Sequence, residues 1–177
     1  AAAVGIDTVA PRWDRITHDG DFAYLPQRMT SVRGRRLLDR AFPDALAKSQ
    51  LAIVVSRGDD KLQPADFEVA DRLVDRFTPK PGAEPGPITD VWSYDNDVIG
   101  KKLISRAGYR GQAVLIVLRL RNEFMAIDNM PLVAEVHETL AANRHRADFP
   151  EGLQLGVTGS AAIGADMLFS AEESIRN

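Results

Sequence analysis

The order of strand-like and helix-like segments constrains the fold of this chain more than any other feature of its sequence. Six segments follow one another: a strand at 50–57, a helix at 64–77, strands at 89–94 and 112–120, a helix at 129–143 and a strand at 153–158. Their order is β-α-β-β-α-β, the split βαβ arrangement. It predicts an α+β fold, a ferredoxin-like two-layer sandwich of one sheet and two helices.

The two helices are indicated by apolar residues at helical spacing. The first has the stripe Phe67, Ala70, Leu73, Val74 and Phe77, and the second has Leu132, Val133, Val136 and Leu140. Pro64 suits the opening turn of the first helix, and Asn129 is the predicted N-cap of the second. Between the first helix and the next strand, residues 78–87 hold four prolines and two glycines, which predicts a loop.

Two strands carry apolar residues on both faces. In 112–120, Leu115 and Val117 alternate with Ile116 and Leu118, and the run 51–55 behaves likewise. A two-layer sandwich covers only one face of its sheet with helices, and each bare side chain would forgo about 1.5–3 kcal/mol of burial. We therefore expect a cover for the second face: the N-terminal segment, the C-terminal helix, a second domain or a second copy.

Three regions are predicted: a connecting segment at 1–45, the βαββαβ domain at 46–160 and a C-terminal helix at 161–177. In the first, Ser31 is the expected N-cap of a short helix that ends at Pro43. That helix has the apolar residues Leu37, Leu38, Ala41 and Phe42, with Arg28, Arg33, Arg35, Arg36 and Arg40 around them. The arginines could contact a phosphate of a lipid headgroup or a nucleic acid, but a solvated face paired with acids such as Asp39 is more usual.

Composition excludes several classes of protein. The formal net charge of -3 gives no reason to expect nucleic acid as a partner. RNA-recognition domains share this strand order but present aromatic rings on their third strand, whereas 112–120 is aliphatic with one arginine and no aromatic residue. The absence of cysteine excludes disulfides and thiolate chemistry. No apolar run approaches the ~20 residues of a membrane span.

No pattern of a catalytic centre stands in the sequence. The run Gly156-Val157-Thr158-Gly159-Ser160 lacks the lysine of a P-loop and the Gly-x-Ser-x-Gly order of an esterase. It indicates a tight turn from strand to helix, with Ser160 as the N-cap. The three histidines lack the spacing of metal ligands. We expect no catalytic residue, no metal and no cofactor.

Trp92 and Tyr94 are the candidates for a binding surface. They are two residues apart, so the alternation of a strand places both on one face, with Val91 and Ser93 on the other. They could line the path of an apolar ligand. Packing in the core or at an interface is the other explanation, and the sequence leaves both open.

Several short motifs, taken in order, resemble a known family. They are Phe22-Ala23-Tyr24-Leu25-Pro26, a short helix ending in Phe42-Pro43, the strand at Ile53-Val54-Val55, Lys102-Leu103-Ile104-Ser105 with Gly108, and the stretch 152–162 with Asp166 and Glu172-Glu173-Ser174. Together they resemble the first extracytoplasmic (porter) domain of the RND superfamily, and within it the MMPL-type transporters. The resemblance spans about residues 20–177.

The resemblance implies a proton-driven exporter of lipids or other hydrophobic compounds, of which this chain is one periplasmic piece. The partners it implies are a second extracytoplasmic domain and the membrane helices of the same parent chain, and it leaves room for a homo-oligomer. The partner domain would cover the apolar face of the sheet, and the helix at 161–177 would lead toward a membrane helix. The proton-carrying acids of the family lie in membrane helices, so the resemblance assigns none here and implies no enzyme.

Two other functions share this strand order. An ACT-like regulatory module would bind a small molecule and dimerise. An acylphosphatase-like enzyme would need a phosphate-binding loop with an arginine after the first strand. Arg57-Gly58-Asp59-Asp60 offers the arginine but surrounds it with acids.

Overall fold

The structure, a computed structural model, describes residues 26–42, 47–58, 60–106 and 111–176. Its helices and strands are α1 (Thr30–Ala41), β1 (Ser49–Ser56), α2 (Pro64–Phe77), β2 (Ile88–Trp92), β3 (Ala113–Leu120), α3 (Met130–Arg144), β4 (Gln154–Thr158) and α4 (Ser160–Arg176). Most of the predicted N-terminal segment, the stop at Pro43, and Asp59 and Gly108 lie outside the described residues. None of the described helices is both long and apolar enough to cross a bilayer.

The four strands form one antiparallel sheet in the order β2-β3-β1-β4. At its centre β1 and β3 pair along their full length, so that Leu51 faces Leu118, Ile53 faces Ile116 and Val55 faces Val114. The register of β2 against β3 shifts between Ile88 and Asp90, which marks an irregularity in this edge strand. The predicted α+β, βαββαβ sandwich is confirmed.

The core lies between the sheet and the helices α2 and α3. One side chain of every two on the central strands points into it, and Leu51, Ile53, Ile116 and Leu118 are fully buried. The helices contribute their predicted stripes, including Leu73, Val136 and Leu140. The helices therefore close this face of the sheet. Burial of each such side chain stabilises the fold by about 1.5–3 kcal/mol.

The opposite face of the sheet, here called the reverse face, is also apolar but less covered. Its central side chains are Ala52, Val54 and Leu115, which are partly buried, and Val117, which is buried. Of the covers expected from the sequence, helix α4 packs Ala161, Ala162 and Ala165 into the same core, next to α3 and β1. It therefore belongs to the helix side of the sheet.

Of the three predicted caps, Ser31 and Ser160 are wrong, whereas Asn129 stands at the N-cap position of α3 but forms no side-chain cap hydrogen bond. Helix α1 begins at Thr30, one residue before Ser31, and has no side-chain cap. The Ser160 hydroxyl accepts a hydrogen bond from the Gln50 backbone N–H at 3.1 Å, tying α4 to β1. The Asn129 amide donates to the Glu123 carbonyl oxygen at 2.7 Å, since a 3₁₀ turn already leads into α3.

The turn from β4 into α4 requires a glycine at position 159. Gly159 has a φ of +113°, and a Cβ there would stand 2.6 Å from the Gln50 carbonyl oxygen. Gly156 makes no such demand, since its Cβ would meet Val54 at an ordinary 3.9 Å. Of the two glycines in this run, only the second is dictated by the backbone.

We expect Ile116→Ala to lower the free energy of unfolding by about 2–5 kcal/mol, because it leaves a cavity in a closed core. Leu115→Ala, one residue earlier on the same strand, should cost less than half as much, since Leu115 is only partly buried. Urea unfolding of both variants measures the difference. Equal losses would contradict the contrast between the helix side and the reverse face.

Gly159→Ala should lower the free energy of unfolding by about 1–3 kcal/mol from backbone strain, with the contact to Gln50 adding to the cost. Gly156→Ala is the matched control and should change stability by less than about 1 kcal/mol. Thermal unfolding compares the two variants. A Gly159 variant as stable as its control would show that the turn has an alternative path.

Candidate functional site

The reverse face carries its apolar side chains on β2, β3 and β1, whereas β4 presents Gln154, Gly156 and Thr158 there. On it Trp92 of β2 stands opposite Val117 of β3, which stands opposite Ala52 of β1. One pair further along, Leu115 faces Val54, and Val54 faces Gly156 of β4. The surface therefore has no charged side chain at its centre and carries its one aromatic ring at the β2 edge.

The Trp92 side chain is held in place by two charged neighbours. Its indole N–H donates to the Asp90 carboxylate at 2.7 Å. The Arg119 guanidinium lies over the ring, 4.4 Å from its centroid, and is 3.8 Å from the same carboxylate. Cation–π contact and the hydrogen bond together fix the orientation of the ring at the margin of the reverse face.

The structure does not bring Tyr94 to the same surface, so the predicted shared face of Trp92 and Tyr94 is wrong. Strand β2 ends at Trp92, and the chain turns before it reaches Tyr94. The Tyr94 ring packs edge-on against Phe67 of α2, with centroids 5.0 Å apart. Its hydroxyl donates to the Asp71 carboxylate at 2.5 Å. Tyr94 thus joins β2 to α2 on the helix side.

The surroundings of Tyr94 favour its neutral form. Burial of the hydroxyl raises the pKa of Tyr94 above its ordinary value, and the hydrogen bond to Asp71 raises it further. The charge of the nearby Asp95 acts in the same direction. The phenol therefore acts as a donor and as a packing group, and is poorly suited to act as a base.

Arg57 is committed to an acidic partner. Its guanidinium donates to both oxygens of Asp66, at 2.6 and 3.0 Å, and Asp66 is fully buried. The hydrogen bond to Asp66 is the main reason that the pKa of Arg57 is raised. The same carboxylate accepts the Gln63 backbone N–H at 2.7 Å. Arg57 therefore links β1 to the first turn of α2 and is not presented to a phosphate.

A cleft beneath the proline-rich loop is the feature that the sequence did not reveal. It encloses about 510 Å³ between the loop and the ends of α2, α3 and the sheet. Phe77 and Leu132 contribute apolar surface, while Lys48, Lys80 and Arg121 contribute positive charge. Glu135 and Arg76, which also line it, are paired at 2.9 Å. The sequence feature that could have indicated the cleft is the run of prolines at 78–87, which predicted only a loop.

The reverse face and the cleft both combine apolar side chains with charged ones at their borders. Within the described parts of the chain, no three acidic or histidine side chains gather where a metal ion could be held. The reverse face offers shape and apolar area, with its charged groups engaged around Trp92. Such a surface is suited to bind another apolar surface or an apolar ligand.

Comparison with known proteins gives one family. The sequence model of the MMPL family matches residues 23–176, a range that includes every described helix and strand. No curated protein matches this chain.

The raised pKa of Tyr94 predicts how stability depends on alkaline pH. An unfolded tyrosine ionises at about pH 10, whereas folded Tyr94 keeps its proton to higher pH. Its contribution is therefore present below about pH 10 and is lost as the pH rises above that value. We expect urea unfolding from neutral to alkaline pH to show this loss. In Tyr94→Phe, the part of the loss due to this residue should vanish; an unchanged pH profile would contradict the assignment.

Proposed function

Because the chain belongs to the MMPL family of membrane transporters, we propose that it is the first extracytoplasmic domain of a proton-driven exporter of lipids or other hydrophobic compounds. In this proposal the domain lies in the periplasm and is one part of a larger parent chain. Its own residues neither transport nor catalyse, and it needs no metal or cofactor. The proton-carrying groups belong to the membrane helices of the parent chain.

The observation that carries the proposal is the reverse face. Leu115, Val54 and Ala52 form an apolar strip that stays partly exposed, although the opposite face of the same strands is closed by helices. A sheet of this kind favours a partner with its own apolar surface. We assign that role to a second extracytoplasmic domain of the parent chain.

Movement between the two domains would open and close a path for the cargo. Trp92 stands at the β2 edge of the reverse face, where a gap between the domains would begin. Its ring is oriented by Asp90 and Arg119, so it presents a fixed aromatic wall. We propose Trp92 as a cargo-contacting residue. Tyr94, on the helix side, would instead hold β2 against α2 during the movement.

The two rival functions are supported by fewer observations. The ACT-like regulatory module was suggested by strand order alone, and the family match favours the transporter. The acylphosphatase-like enzyme requires an arginine free to bind phosphate, and Arg57 is held by both oxygens of Asp66.

The role of Trp92 is tested by photo-crosslinking in the full-length transporter. A photoreactive amino acid at position 92 should label a hydrophobic cargo analogue during active transport. The matched control is position 98, where Val98 is 85% exposed in the turn that follows β2. Active transport without labelling from position 92, or equal labelling from both positions, would remove Trp92 from the path.

A further inference from the structure

Helix α1 has three distinct sides. The first carries the buried Val32, followed at helical spacing by Arg35 and Asp39, which form an ion pair at 3.0 Å. The second side is basic, and it carries Arg33, Arg36 and Arg40. The third side is apolar and consists of Leu37, Leu38 and Ala41, with Phe42 directly after the helix.

The apolar side is exposed to solvent. Leu37 is 65% exposed, Leu38 46% and Phe42 54%, and Met29 before the helix is 45% exposed. Leu37, Leu38 and Phe42 lie within six residues at the C-terminal end of the helix, and Met29 stands at its N-terminal end. A cluster of exposed large apolar residues on a single helix indicates a surface that another phase or molecule covers.

The basic side lies directly beside the apolar side. Arg33, Arg36 and Arg40 recur at intervals of three and four, so their side chains share one stripe. All three are exposed, and none forms an ion pair with an acidic residue in the described parts of the chain. The chain as a whole carries a net charge of -3, so this positive stripe is local to the helix.

We propose that α1 binds to the surface of an anionic lipid bilayer. The arginines would pair with lipid phosphates, while Leu37, Leu38 and Phe42 would enter the boundary between headgroups and acyl chains. A helix with adjacent basic and apolar sides is the form that lies in a membrane interface. A nucleic acid would satisfy the arginines but leave the apolar side in water, so the lipid surface fits both sides. The proposal stands on α1 alone and does not require the export role.

The first test is flotation of the full 177-residue chain with vesicles of phosphatidylcholine, with and without phosphatidylglycerol. We expect binding only to the anionic vesicles, and weaker binding as salt concentration rises. Arg33→Gln, Arg36→Gln and Arg40→Gln together should lower affinity about a hundredfold, at about fivefold for each arginine. The matched control is Lys61→Gln, Lys101→Gln and Lys102→Gln, which removes the same charge from exposed positions elsewhere.

The second test locates the apolar side. The chain contains no cysteine, so Leu37→Cys and Val98→Cys each provide a single site for an environment-sensitive fluorophore. Anionic vesicles should increase and blue-shift the emission at position 37 and leave position 98 unchanged. All substituted positions are exposed, so the thermal unfolding midpoint should stay the same and folding is checked directly.

Four results would overturn the proposal. They are equal binding to neutral and anionic vesicles, equal loss in the arginine and lysine variants, an unchanged signal at position 37, and capture of nucleic acid or an acidic polypeptide by the arginines in place of vesicles. The cargo-labelling experiment on Trp92 is independent, since it uses a different surface and a different readout.

Discussion

The antiparallel pairing of β1 with β3 is the interaction on which the rest of the structure depends. Both strands have eight residues, and every residue of one is paired with a residue of the other. A slip of one position would place Ile53 opposite Leu115 or Val117, so one of the two strands would turn its core side chains to the reverse face. The register therefore decides which set of apolar side chains is closed and which stays open. Strands β2 and β4 only extend this pair on either side.

The two faces divide structural and functional roles. On the helix side, α2 and α3 bury the core, and Tyr94 and Arg57 attach neighbouring strands to α2 through Asp71 and Asp66. On the reverse face, polar groups stand toward the two edges: Asp90 and Arg119 hold Trp92 beside β2, and β4 presents Gln154 and Thr158. A face with apolar residues at its centre and charged residues at its border has the composition of a protein interface. The proposed transporter role depends on this difference.

The sequence predicted the fold well because hydrophobic period and segment order are backbone-scale signals. The bounds of α2 were predicted to the residue, and the strand bounds to within one or two residues. Side-chain contacts were predicted less well. The pairing of Trp92 with Tyr94 failed because β2 ends two residues early, and strand alternation does not continue through a turn. The side chains of Ser160 and Asn129 are able to cap a helix. Each instead forms a hydrogen bond with a backbone group elsewhere, of Gln50 and Glu123 respectively. The cleft near Phe77 depends on how a loop folds back, which no local pattern encodes.

The two outer strands also determine how this sheet can meet other molecules. Strands β2 and β4 have only five residues each, and the pairing of β2 is interrupted between Ile88 and Asp90. Short, irregular borders give an incoming strand little backbone to align with. The edges therefore disfavour pairing with a strand of another molecule, even though the reverse face is apolar. Contact with other molecules is therefore directed to the reverse face, which would pack face to face against another apolar surface.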